Sequence, residues 1–165
     1  RQLVDLEHWP AFRSSFERLV ADIRSVASGE RGNPPASVII LSGDVHHAYV
    51  AEADFNDSAV ESSVLQAVCS PMRNPLGVFE RSFMKSALSR SARNFTRFLA
   101  RKAGVDEVPV DWEFVEPPTF DNQIGTVEIT GREAVVRIEK TRTEDWEKPE
   151  LHPSLEVSVG GGQRR

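Results

Sequence analysis

A short apolar stretch that ends in a polar cluster constrains the fold of this chain more than any other feature. Residues 37–41 read Ser-Val-Ile-Ile-Leu, which is mostly β-branched and apolar without alternation. Such a run predicts a strand that is buried on both faces. The stretch continues directly into Ser-Gly-Asp-Val-His-His at residues 42–47. The sequence therefore predicts that a buried strand delivers a carboxylate and two imidazoles to the edge of a sheet.

The spacing of these polar residues favours a shared cavity. In an extended chain, residues two apart point to the same side, so Asp44 and His46 face one way, and Val45 and His47 face the other. Gly43 leaves room for a close approach of the backbone. A carboxylate and an imidazole on one edge form half of a ligand shell for a transition metal or a mixed metal pair. The ordinary alternative is a turn capped by Asp44, with His46 in a surface hydrogen bond.

The rest of the chain alternates between helical and extended patterns. The apolar spacing predicts helices over Trp9–Ser28 and about 79–103, strands over 37–41, 48–55, 64–68 and 108–115, and a hairpin of 121–130 with 133–140. This order indicates an α/β fold with strands from two stacked sheets and with helices outside them. From Thr141 onward the pattern fails. We therefore expect residues 1–141 to form the folded portion and residues 142–165 to be a flexible tail.

Composition and charge exclude some classes of partner. The formal net charge of -5 predicts no general attraction to nucleic acid or to an anionic membrane. Seven Arg or Lys residues, from Arg81 to Lys102 inclusive, are typical of a solvated helix face. No apolar run approaches the roughly 20 residues that a membrane-spanning helix needs. We expect neither nucleic acid nor a membrane as a partner.

The cysteine content and the first residues of the chain bear on its cellular compartment. The chain has one cysteine, which cannot form an internal disulfide. No signal peptide is visible, which favours a cytoplasmic over a secreted location. The sequence starts with Arg-Gln-Leu rather than with Met, so we expect the natural start to lie upstream.

Several other residues have both a functional and an ordinary interpretation. Arg73 is a candidate phosphate contact because a guanidinium binds phosphate in a bidentate manner, although most loop arginines are only solvated. Cys69 follows a predicted strand and is typical of a small core residue. Ser70 lacks the Gly-x-Ser-x-Gly context of a hydrolase nucleophile. Asp121 and Asn122 can reach the site, but an Asp-Asn pair before a strand is also common turn chemistry.

The polar cluster carries a family resemblance. Residues 41–46, Leu-Ser-Gly-Asp-Val-His, are followed by Tyr49 and a second strand. This stretch resembles the last metal-binding motif of the PhoD-like (alkaline phosphatase D) family of calcineurin-like metallophosphoesterases. The wider superfamily has Gly-His-x-His there, whereas Asp44 takes the first His position, as in the PhoD-like branch. Segments 5–12, 69–75 and 120–123 are also similar to those of bacterial members, so the resemblance covers about residues 5–140.

The resemblance implies a specific fold and activity. The chain would be the C-terminal half of a four-layer α/β/β/α metallophosphoesterase sandwich, with mixed sheets and flanking helices. It would hydrolyse small phosphate mono- or diesters at a dinuclear metal centre, which generates the nucleophile by lowering the pKa of bound water. Asp44 and His46 match the metal ligands. His47 does not match a ligand position, and it would either support a ligand from behind or face the substrate as a catalytic group. Arg73 would be a catalytic group that contacts the phosphate. The resemblance implies iron with calcium, and manganese or zinc are the alternatives.

The sequence departs from the family in one respect. The earlier motifs that supply the other ligands are absent from residues 1–43, which read as a single helix. Two ligands do not make a metal site. We therefore expect the remainder of the domain, or a partner chain, to complete the site and to cover the open sheet. The alternative is a non-catalytic interaction domain that retains the fold without a complete metal site.

Overall fold

A computed structural model of the chain describes residues 12–43, 46–70, 82, 90–104, 109–141 and 150–160. Within these ranges the chain is an α/β protein with two sheets and few helices, as the class prediction expected. In chain order the elements are α1 (Arg13–Ala27), β1 (Ser37–Ser42), β2 (Tyr49–Asp54), β3 (Ser63–Val68), α2 (Arg90–Lys102), β4 (Asp111–Phe114), β5 (Gln123–Thr130), β6 (Glu133–Lys140) and β7 (His152–Val159).

The first sheet has the strand order β1-β3-β2-β4. Strands β1 and β3 run parallel, so Ser42 and Val68 lie side by side where both strands end. Strand β2 is antiparallel to β3 and begins at the same end of the sheet, where Tyr49 pairs with Val68. We call this end of the strands the site end. The opposite end, where Asp54 of β2 pairs with Asp111 of β4, is called the far end.

The second sheet is an antiparallel meander, β5-β6-β7. The predicted hairpin of β5 and β6 is confirmed, and Thr130 pairs with Glu133 across a two-residue turn. Gly131 opens this turn with a φ of 62°. A glycine with positive φ at the first position is the pattern of a type II′ turn, whose twist matches that of the flanking strands.

The prediction of a flexible tail is wrong for residues His152–Val159. They form β7, which pairs with β6 along its length. Leu155 is buried and contributes to the core. Pro153 is tolerated because β7 is an edge strand, and the register shifts between Ile138 and Glu139 near it. The division of the chain into a folded portion and a tail otherwise stays a prediction.

The hydrophobic core lies between the two sheets. Its buried cluster takes residues from both of them: Ala48, Val50, Leu65 and Ala67 from the first sheet or its border, and Val136, Ile138 and Leu155 from the second. The two sheets therefore pack face to face, because each buries its apolar side chains against the other.

Strand β1 differs from its prediction. Its apolar sequence predicted burial on both faces, but it is an edge strand, and none of its residues is fully buried. Leu41 is 65% exposed. The prediction is wrong in this respect because an apolar sequence indicates only that a strand can be buried. Burial also requires neighbouring elements, and the described residues provide none on the outer side of β1.

The two helices differ in how they pack. Helix α1 lies within its predicted range and buries Val20 and Ala27. It ends before Gly29, whose φ of 76° suits the close of a helix. Helix α2, the described part of the second predicted helix, exposes three large apolar side chains: Phe95, Phe98 and Leu99. Within the described residues, no helix is long and apolar enough to cross a membrane.

Candidate functional site

Three segments of the chain meet at the site end. They are the loop that follows β1, the residues Cys69 and Ser70 that follow β3, and the segment Thr119–Gln123 that leads into β5. The N–H of Cys69 donates to the carbonyl of Ser42 at 3.2 Å, which holds the first two segments together. Because the carboxyl ends of parallel strands share one edge, this convergence follows from the topology of β1 and β3.

The third segment is tied to the start of β2 by an isolated bridge. The N–H of Ala48 donates to the carbonyl of Thr119 at 2.8 Å, and the N–H of Thr119 donates back to Ala48 at 2.9 Å. Ala48 is almost completely buried. A reciprocal backbone pair in a buried position fixes the approach of the third segment to the loop that carries the histidines.

Gln123 joins the second and third segments through its side chain. Its Nε2 donates to the carbonyls of Ser70 at 3.1 Å and Thr119 at 3.2 Å. Its Oε1 accepts from the Thr119 hydroxyl at 2.6 Å. Gln123 is only 3% exposed. The sequence interpretation missed this residue as a site contact, because its partner Ser70 lies far away in the sequence.

Cys69 packs tightly at the centre of the site end. A Cβ atom placed on Gly125 of β5 would lie 3.0 Å from the Cβ of Cys69, so the glycine provides space for the cysteine. Burial raises the pKa of the Cys69 thiol. The protonated form of the thiol is therefore favoured, which agrees with a packing role and not with that of a nucleophile.

His46 lies on the exposed side of the loop and has a φ of 54°. The chain is therefore not extended at His46, and the simple two-residue alternation that predicted a common face with Asp44 does not run through this position. Left-handed backbone is uncommon for residues other than glycine, although His adopts it more often than most. Asp44 and Arg73, two further predicted site residues, lie outside the described residues.

His47 has the opposite environment to His46. It is only 6% exposed, and its ring stacks on Tyr49 at a centroid distance of 5.4 Å and on Phe120 at 5.7 Å. The row of rings continues along β2 and β4, where Tyr49 meets Phe114 and Phe114 meets Trp112, both at 5.0 Å. The second histidine is therefore part of an aromatic row.

Tyr49 is polar only at its hydroxyl, which donates to Oε1 of Gln66 at 3.3 Å. Burial raises the pKa of Tyr49 because the tyrosinate loses solvation there. Near the same end, Lys140 Nζ lies 3.1 Å from a carboxylate oxygen of Asp121. The sequence interpretation left open whether Asp121 reaches the site, and this contact gives the carboxylate a structural partner.

The far end is dominated by exposed charges. Two pairs of carboxylates lie opposite each other on β2 and β4, and these pairs are Glu52 with Glu113 and Asp54 with Asp111. Asp57 accepts from the N–H of Ala59 at 2.9 Å and from Nε of Arg24 at 2.8 Å. These two hydrogen bonds, the backbone one first, lower the pKa of Asp57.

A cavity of about 360 Å³ also lies at this end, between α1 and the residues Phe55 and Pro109. The Arg24 guanidinium at its wall already pairs with Asp57 and with Glu30. The cavity therefore lies at the other end of the sheet from the histidines. Its one described cation, Arg24, is already paired with carboxylates of the protein.

The described residues do not complete a metal site. Among them, no group of three or more His, Cys, Asp or Glu side chains is arranged to hold a metal ion. Of the predicted pair, His46 is exposed, and Asp44 lies outside the described residues. A catalytic metal usually has three protein ligands or more, so the other ligands must come from elsewhere if this edge binds metal.

Comparison with known proteins adds no assignment. No family model, no curated protein and no solved structure matches this chain.

Proposed function

We propose that this chain is the C-terminal part of a metal-dependent phosphoesterase that resembles the PhoD-like family. Its substrate would be a small phosphate monoester or diester. The observation that carries the proposal is the stretch Leu-Ser-Gly-Asp-Val-His at the end of β1, where three chain segments converge. Polar residues at the carboxyl ends of strands are where α/β proteins usually bind their ligands.

In this proposal Asp44 and His46 supply one part of the ligand shell. The exposure of His46 supports this role, because its imidazole can be reached by an ion and by groups from another part of the protein. Arg73 would bind the phosphate, and His47 belongs to the same loop as the ligands. The metals proposed from the family resemblance are iron with calcium, with manganese or zinc as alternatives.

The remainder of the site would come from residues outside this chain. Strand β1 supports this view, because it is an apolar edge strand with Leu41 largely exposed. An uncovered apolar edge favours pairing with another segment. We propose that the rest of a four-layer α/β/β/α domain, or a partner chain, covers this edge and brings the missing ligands. A cytoplasmic location, with neither nucleic acid nor membrane as a partner, also stays a proposal.

A non-catalytic interaction domain is the second candidate function. It is favoured by one observation, namely that the described residues contain no group of three potential metal ligands. Such a domain would use the same fold and the same open edge of β1 to bind a partner, without any hydrolysis.

Metal content tests the proposal directly. Elemental analysis of the wild type, purified together with the remainder of the domain or the partner chain, is compared with that of the double variant Asp44→Ala/His46→Ala. The double variant Glu52→Ala/Glu113→Ala is the control, because it removes two potential ligand groups at the far end. We expect near-stoichiometric metal in the wild type and the control, and none in the Asp44/His46 variant.

Hydrolysis of a chromogenic phosphate ester by the same samples then separates the two candidate functions. The proposal expects activity in the samples that contain metal and a loss of activity in the Asp44/His46 variant. Folded wild-type protein that contains no metal would contradict a catalytic role for this chain as it stands, and it would favour the interaction domain.

A further inference from the structure

Two consecutive histidines at the site end have opposite environments. His46 is exposed, whereas His47 is 6% exposed and inaccessible to a substrate in this conformation. A catalytic residue must touch the substrate, a cofactor or a reacting atom. The burial of His47 therefore requires a different account from the catalytic role that the sequence suggested.

The His47 ring stacks on two neighbouring aromatic rings. Its planes are inclined by 25° to Tyr49 and by 27° to Phe120, so the imidazole is stacked with both of them. Stacked rings at such distances are attractive beyond the burial of their area. Phe120 is itself buried and lies next to Thr119, which pairs with Ala48. The His47 ring therefore joins the histidine loop to the third segment of the site end.

This anchor acts on the residue beside it. His46 has a φ of 54°, a conformation that persists only when its surroundings determine it. On its C-terminal side the chain is fixed by the buried His47 ring and by the Ala48–Thr119 bridge. With the following residue turned inward, the side chain of His46 is left on the exposed side of the loop.

We propose that His47 is a positioning residue, whose ring, stacked on Tyr49 and Phe120, sets the exposed placement of His46. In this role the aromatic ring is the part of the side chain that contacts both neighbours. The importance of this placement for a metal site rests on the proposed function. The placement itself does not, so the two can be tested separately.

Two substitutions separate the ring from its polar atoms. His47→Phe keeps an aromatic ring and removes the nitrogens, whereas His47→Gln keeps polar atoms and removes the ring. Trp112→Gln is the control, because it removes a ring at the other end of the aromatic row. Amide hydrogen exchange of Ala48 and Thr119 is measured in all variants, together with the unfolding midpoint.

We expect His47→Phe and the Trp112→Gln control to retain the exchange protection of both amides. In His47→Gln, the protection factors of both amides should fall about tenfold or more. Equal behaviour of His47→Phe and His47→Gln, whether both keep or both lose protection, would overturn the proposal. So would protection that survives in His47→Gln and is lost in His47→Phe.

Titration with Mn²⁺ as the probe, on protein that includes the remainder of the domain or the partner chain, then links the result to the proposed function. Binding by the wild type and by His47→Phe, with affinity about tenfold weaker in His47→Gln, supports both proposals. The expected exchange pattern without any Mn²⁺ binding by the wild type retains the positioning role and contradicts the metal site. Binding in which His47→Phe is as weak as His47→Gln contradicts the positioning role and retains the metal site.

Discussion

The two ends of the first sheet differ in how their polar side chains are stabilised. At the site end, the buried Gln123 side chain is hydrogen-bonded within the protein, and the part-buried Tyr49 hydroxyl donates to Gln66. The buried Oδ1 of Asn122 is the exception, since it has no hydrogen-bond partner among the described residues. At the far end, charges stay exposed, and like charges face each other across β2 and β4. At the site end, burial removes solvation from Tyr49 and raises its pKa. At the far end, hydrogen bonds from the Ala59 N–H and then from Arg24 stabilise the Asp57 carboxylate and lower its pKa.

The difference indicates where the fold holds an ordered polar arrangement. Buried hydrogen bonds require accurate geometry, because an unsatisfied buried group destabilises the fold. Exposed ion pairs contribute little and tolerate change. Substitutions at the site end should therefore cost more stability than comparable ones at the far end, and the two ends should respond to opposite extremes of pH.

The largest effect is expected for Gln123→Leu. The substitution leaves the carbonyls of Ser70 and Thr119 without this donor in a buried region, and we expect a loss of about 2–4 kcal/mol in the free energy of unfolding. Chemical denaturation measures it. Gln66→Leu is the matched control, since Gln66 is more exposed and its bonds are longer, and it should cost about 1 kcal/mol or less. Similar losses in the two variants would contradict the contrast between buried and exposed polar groups.

An intermediate effect is expected at alkaline pH. The pKa of Tyr49 is raised above its ordinary value of 10.0, so the fold retains the proton in a range where the unfolded chain has lost it. This contribution to stability is complete below pH 10.0 and is lost as the pH rises through the folded-state pKa. Tyr49→Phe should therefore lose less stability than the wild type above that pH.

The measurement for Tyr49 is direct because the chain has one tyrosine. Ultraviolet absorbance follows its ionisation in the folded protein, and denaturation from about pH 7 to about pH 11 follows the stability. An ordinary pKa, or parallel losses in Tyr49→Phe and in the wild type, would show that burial of the hydroxyl has no energetic consequence.

The smallest effect is expected at acidic pH and at the far end. The pKa of Asp57 is lowered below its ordinary value of 3.8, first by the Ala59 N–H and then by Arg24. Its contribution to stability is present above pH 3.8 and is lost as the pH falls through the folded-state pKa. Asp57→Asn should therefore be less stable than the wild type near neutral pH and equal to it in strong acid. A constant difference, measured by thermal unfolding across this range, would contradict the role of the charge.

Local patterns were enough to predict much of the fold. The hairpin of β5 and β6 follows from alternation on both sides of a turn that contains Gly131, and its pairing depends on neighbours in sequence. The edge position of β1 could not be predicted, because it depends on which strands lie beside it. Strand β7 was missed because Pro153 and the Gly-Gly-Gly run at residues 160–162 resemble loop sequence, although apolar and polar residues alternate from Leu155 to Val159. A proline is tolerated at a sheet edge.

The candidate site was predicted only in part. The sequence located the histidine loop at the end of a strand, which the fold confirms for the residues described. It could not predict that His46 is exposed and His47 buried, since that depends on Phe120, far along the chain. The contact between Gln123 and Ser70 spans 53 positions and has no local signature. The roles of Asp44 and Arg73 stay predictions.

The position of β7 has a consequence for the order of events during synthesis. The β5–β6 hairpin is local and can form as soon as both strands have left the ribosome, but β7 emerges only later. Until then one edge of β6 lacks its partner, and the core lacks Leu155. A pause in synthesis after β6 has left the ribosome and before β7 has done so would thus expose an unpaired strand, which makes the nascent chain a natural client for chaperones that bind extended apolar segments.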